Sequence, residues 1–118
     1  MIVLSWNCRG LGNSQTVNAL HNIVQRWDSS IVFLSETKLN KKGMEKAKDK
    51  AGFVYGLIVP KSERTRGIAM LWKKDINMEI KGYAGNYIDA IVIDSISRFK
   101  WRITSLYGHP ETHRRKET

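Results

Sequence analysis

Cysteine is nearly missing from this sequence. A single one, Cys8, among 118 residues excludes a disulfide framework and a cysteine-built zinc cluster, and suits a reducing compartment. Cys8 itself reads as a small buried hydrophobe. Proline is scarce, with Pro60 and Pro110 alone. No Pro/Gly linker, internal repeat or low-complexity tract divides the chain, so one domain is expected. No apolar run approaches the roughly 20 residues of a membrane-spanning helix, and no leader-like charged and apolar segment follows Met1. The expectation is a soluble, intracellular protein with no membrane partner. Acidic residues are also few: 11 Asp and Glu stand against 20 Lys and Arg, a formal net charge of +9. That excess points to a polyanionic partner, nucleic acid before acidic membrane, with a merely basic surface as the plain alternative.

What is present is organised around residues 2–13, IVLSWNCRGLGN. Ile2, Val3 and Leu4 read as a buried strand that breaks into Asn7 and the glycines Gly10 and Gly12. Ser14 is placed to cap a helix whose apolar positions Val17, Leu20, Ile23, Val24 and Trp27 keep helical spacing, ending at residues 28–30. His21 lies beside that stripe and reads as a surface or partly packed histidine, since no second histidine is three or four residues away. Residues 31–34 form another apolar run. Residues 2–34 therefore read as strand, helix, strand, a right-handed crossover between parallel strands that brings Asn7 and Glu36 to one sheet edge. Residues 40–51 read as a short exposed helix with Lys41, Lys42, Lys46, Lys48 and Lys50 on its surface, flanking nucleic acid. Beyond Gly52, strands are expected at 53–59, 67–72, 78–83, 87–93 and 99–107, as antiparallel neighbours joined by short turns.

Glu36 and Asn7 offer hard oxygen ligands without thiolates, the donor type that suits Mg²⁺ rather than zinc. Each also has a plain structural reading: Glu36 as a strand-end residue pairing with Lys38, and Asn7 as a turn asparagine bonding local backbone. A dinucleotide-binding unit is a rival, with Gly10 and Gly12 on the phosphates and Glu36 on a ribose. Gln15 occupies the place of its third glycine, and antiparallel strands replace a second crossover.

Four segments then carry a resemblance: IVLSWNCRGLG at 2–12, IVFLSETK at 31–38, GIAMLW at 67–72 and LYGHP at 106–110. In this order they resemble the endonuclease/exonuclease/phosphatase superfamily, and more narrowly the endonuclease domain of plant LINE-type retrotransposons. The resemblance implies an α/β sandwich of two mixed sheets with helices outside. It also implies metal-assisted phosphodiester hydrolysis on DNA with Mg²⁺ or Mn²⁺, and it allows a nuclear setting. It makes Asn7 and Glu36 the metal-site residues and Tyr107 a contact to the scissile phosphate. His109, next to Pro110, reads as a turn residue before a candidate base.

Two family motifs expected after the tyrosine, a Gly-Asp-Phe-Asn and a late Asp-His pair supplying the general base, do not occur in these residues. None of His21, His109 and His113 follows an aspartate. The expectation is that residues 1–118 are the N-terminal part of a single, incomplete domain, a nuclease half inactive by itself. The alternative is a non-catalytic basic remnant that binds nucleic acid.

Overall fold

In the computed structural model, which describes residues 1–107, β1 (Val3–Asn7) runs parallel to β2 (Ile31–Ser35), with Asn7 opposite Ser35 at the carboxyl ends. The helix α1 (Ser14–Trp27) makes the connection that a parallel pair requires. Its cap is Asn13, not the expected Ser14. The Asn13 side-chain oxygen accepts from the Thr16 N–H at 2.8 Å and the Thr16 hydroxyl at 2.9 Å, so capping begins one residue earlier.

β2 is buried on both faces, which explains its unbroken apolar run. Val32 and Leu34 join the core formed with the helices, while Ile31 and Phe33 join a second core. β1 departs from the expected buried strand. Among the described residues it is the edge of its sheet, only Leu4 and Trp6 pack on the core, and Ile2 and Val3 remain 44% and 40% exposed.

The charged segment folds as α2 (Lys41–Ala51), but not as an exposed helix. Met44, Ala47 and Ala51 recur at helical spacing and are buried, which seats α2 against α1. Lys48 is drawn in, its amine 3.0 Å from the Val54 carbonyl and 3.1 Å from Glu45. Gly52 then closes the helix at φ 93, and the Phe53 N–H reaches back to the Lys48 carbonyl at 3.1 Å. This is why β3 (Tyr55–Val59) starts two residues later than expected.

β4 (Ile68–Trp72) lies antiparallel to both β2 and β3, giving the order β1-β2-β4-β3. Both edges of β4 are therefore occupied, and the next strand cannot pair with it as the short connection suggested. The chain passes instead into a second, antiparallel sheet of β5 (Ile76–Ala84), β6 (Tyr87–Asp94) and β7 (Lys100–Leu106). Ile76, Ile88 and Val92 of that sheet meet Ile31, Phe33, Ile68 and Met70 of the first, while the helices pack on the first sheet through the other core. The architecture is an α/β sandwich with one mixed and one antiparallel sheet. Among the described residues no helix is long and apolar enough to cross a membrane.

Candidate active site

The segment leaving β2 is fixed from both sides by backbone. The Gly10 and Leu11 N–H groups bind the carbonyls of Glu36 and Thr37 at 2.6 and 2.9 Å. From the other side, the Thr37 and Lys38 N–H groups bind the carbonyls of Gly67 and Arg66 at 3.1 and 2.7 Å. Glu36 and Lys38 both adopt left-handed backbone, φ 54 and φ 58, a conformation that costs a non-glycine residue about 1 kcal/mol or more and persists where surroundings impose it. Gly67 allows the close approach. At φ +88 it faces the Thr37 hydroxyl so tightly that a Cβ would overlap it. That hydroxyl is buried and has no hydrogen-bond partner among the described residues.

Three elements bring side chains to the Glu36 carboxylate. Asn7, at the end of β1, donates its amide N–H to Oε2 at 3.0 Å, while its own oxygen accepts from the Arg9 N–H at 3.2 Å. Tyr107, just past β7, donates its hydroxyl to the same Oε2 at 2.8 Å. Its backbone N–H is tied to the Asn86 carbonyl at 2.8 Å, and its ring packs in the core between the sheets. The Arg66 guanidinium stands 3.6 Å from Oε1. The three residues named from the sequence thus form one cluster, 14% of the Glu36 side chain remaining exposed.

The hydrogen bonds from Asn7 and Tyr107 hold the Glu36 carboxyl below its ordinary value, and the charges of Arg66 and Lys38 add to this against partial burial. Glu36 is ionised at neutral pH. The Tyr107 phenol moves up, through burial first and then its bond to the negative Glu36, so it stays a donor. Burial raises the Cys8 thiol, which rests 3.1 Å from the Ser35 carbonyl and behaves as the expected core residue. His21 is half-buried on α1, away from this cluster; His109 and His113 lie outside the described residues.

Arg66 was not expected here, because residues 60–66 read only as a turn-like stretch. One signal was available: Gly67, opening a strand straight after it, marks a close backbone approach.

A sequence model of the Endonuclease/Exonuclease/phosphatase family matches residues 4–117. The chain belongs to that family. No curated protein matches it in sequence. Among solved structures, the family fold is found in AP endonuclease LMAP from Leishmania major, at 16% identity and TM-score 0.62, over 94% of this chain and 42% of that one. The APE2 catalytic domain of Xenopus laevis aligns at 16% identity and TM-score 0.53, over 99% of this chain and 49% of that one. The chain therefore spans less than half the length of either structure, and the likeness is one of fold.

Whether the cluster suits a divalent ion is a matter of its donors. Among the described residues no group of three or more His, Cys, Asp or Glu converges. Mg²⁺, however, ordinarily takes one or two carboxylates and keeps waters and phosphate oxygens for the remainder. Glu36 Oε1 and the Asn7 amide oxygen are hard donors of the type that fits that habit and not the closed nitrogen and sulfur cage of zinc, with the Asn7 oxygen held by the Arg9 N–H in this structure.

Proposed function

We propose that this chain is the N-terminal part of a divalent-metal-dependent phosphodiesterase domain, the DNA endonuclease of a LINE-type retrotransposon. The observation that carries the reading is the Glu36 carboxylate, gripped on Oε2 by Asn7 and Tyr107 from opposite sheets. The two AP endonuclease structures sharing the fold support a DNA substrate.

Glu36 Oε1 and the Asn7 oxygen would hold Mg²⁺ or Mn²⁺. When bound, such an ion polarises a phosphoryl oxygen and stabilises charge on the leaving oxygen. The chain's own residues perform the positioning. Asn7 and Tyr107 fix the carboxylate in one rotamer and keep it charged, and Tyr107 retains a proton to share with a phosphate oxygen. Arg66 supplies a fixed cation beside the reacting phosphate. The general base belongs to a later part of the domain, so these 118 residues bind polynucleotide without cutting it.

The net charge of +9 favours a second reading, a basic module that binds nucleic acid with no catalysis at all. Supercoiled plasmid with Mg²⁺ or Mn²⁺ separates the two. The reading frame continued through the rest of the domain should nick the plasmid, and Glu36→Gln should abolish nicking. Nicking indifferent to Glu36→Gln sinks the catalytic reading. Nicking by the 118-residue chain that Glu36→Gln removes overturns the claim that the later part is required.

A further inference from the structure

Beside Glu36, the loop of residues 60–67 and the exit from β2 form an open recess of about 460 Å³, lined by Lys38, Lys61, Ser62, Thr65 and Arg66. Among the described residues three cations and two hydroxyls line it, with no carboxylate; Glu63 sits on the same loop outside that lining. The recess is already shaped. The Lys61 N–H holds the Leu39 carbonyl at 3.0 Å, and the Ser62 N–H holds that of Thr65 at 3.0 Å. The Ser62 and Thr65 hydroxyls lie 3.1 Å apart, and Thr65 also donates to the Pro60 carbonyl at 3.3 Å. Gly85, in the turn between β5 and β6, leaves room for Thr65 that a Cβ would fill. The loop is therefore seated against both sheets. Arg66 belongs to two places at once, on the recess wall and 3.6 Å from Glu36 Oε1.

We infer that this recess holds a second backbone phosphate of a bound polynucleotide, the neighbour along the strand of the phosphodiester presented to Glu36. The inference rests on the reading of Glu36 as part of a phosphodiesterase site. A concave wall of cations focuses field on an anion, and the guanidinium fork beside two ammonium groups matches the oxygens of a phosphate. Arg66 then spans adjacent phosphates and sets the register of the strand over Glu36. Contacts of this kind read no bases, so the recess positions the strand without selecting sequence.

The test measures binding of a fluorescein-labelled 20-base-pair DNA duplex to the 118-residue chain by anisotropy across a salt series. Each phosphate contact contributes about 0.9 to the slope of log affinity against log salt, so Lys38→Ala with Lys61→Ala, which frees the one phosphate of the recess, should reduce that slope by about 1. Lys81→Ala with Lys100→Ala, on the second sheet beside Glu79, should leave the slope unchanged, and arginine at 38 and 61 should restore it. If the alanine pair does not fold by circular dichroism, Lys61→Met alone, which keeps the apolar stem, should lower the slope by part of that amount, up to about 1. An unchanged slope in the variants at 38 and 61, or no binding of the duplex by the unsubstituted chain at the lowest salt, overturns the inference. Loss of nicking in Glu36→Gln is read in a separate assay, so failure of the recess is distinguishable from failure of the catalytic reading on which it rests.

Discussion

Glu36 and Asp89 are sheltered to the same degree, each with 14% of its side chain exposed, and each carboxylate accepts from two side chains. They differ in what remains free. Asp89 on β6 takes both partners from neighbouring β7: Arg102 binds Oδ1 and Oδ2 at 2.9 and 2.5 Å, and Thr104, its register partner, binds Oδ1 at 2.9 Å. Both oxygens are engaged, and the Arg102 bonds pull the carboxyl down to about 2. Glu36 instead receives two neutral donors on one oxygen and leaves the other to Arg66 at 3.6 Å. A depressed carboxyl is thus common to a sheet-stabilising pair and to the candidate site. Two neutral donors from distant strands converging on one oxygen, with only a looser ion pair at the other, separate the second from the first.

The widest separation is expected in cleavage. In the domain continued beyond these residues, Glu36→Gln should slow nicking by about 100-fold or more, in keeping with loss of a charge-stabilising group. Asp89→Asn should leave the initial rate of supercoil loss near that of the unsubstituted domain. Equal losses would erase the distinction.

Stability should show the next largest contrast, because the loop under Glu36 is seated on Gly67. Gly67→Ala meets both a left-handed φ of 88 and the Thr37 hydroxyl, and should cost about 2–4 kcal/mol by urea unfolding. Gly52→Ala, also left-handed at φ 93 but with open space around it, should cost only about 1 kcal/mol. Similar costs would mean that the approach of Gly67 to Thr37 contributes nothing.

A smaller effect is expected from the donors. Tyr107→Phe should cost about 1 kcal/mol, the worth of one hydrogen bond at a partly wet site, and should move the Glu36 titration midpoint up towards its ordinary 4.5. Carboxyl-carbon NMR reads that midpoint directly, and an unmoved Glu36 signal would contradict the assignment of Tyr107 as its donor.

The smallest contrast lies in acid. Both carboxyls are lowered in the folded state, so the stability each adds is fully present above its unfolded value and is lost as pH falls through the folded one. For Glu36 the loss begins as pH drops below 4.5. For Asp89 it runs from 3.8 down through about 2. Thermal melts of Glu36→Gln and Asp89→Asn down to about pH 2 should therefore converge on the unsubstituted protein, Asp89→Asn last. Convergence of Asp89→Asn while still above pH 3.8 would count against its ion pair.

Much of the first half of this comparison was legible in the sequence. An apolar run broken by Asn7, a helical stripe and a second run broken before Glu36 dictate parallel strands with polar ends side by side. Tyr107 came from family resemblance; its local pattern said only that an aromatic ends a strand. Arg66 was hidden because its proximity is a matter of register. β4 lies antiparallel to β2 with Ile68 opposite Ser35, so Gly67 and Arg66, preceding β4, meet the residues that follow β2. Nothing in a turn-like stretch 30 positions away encodes that pairing locally. The passage from β4 to the second sheet was equally hidden, since a short connection looks the same whether or not the neighbouring edge is taken.

The sequence separations in the Glu36 cluster bear on how the protein folds. Asn7 is 29 residues from Glu36 and reaches it once the first parallel pair forms, whereas Tyr107 is 71 residues away and arrives only when the second sheet docks. Contacts closed over such long loops are made late, after local structure has formed. An intermediate with both helices and the first sheet assembled therefore has Asn7 beside Glu36 and no phenol hydroxyl on Oε2. The Tyr107 bond to Oε2 therefore reports that the second sheet has docked on the first.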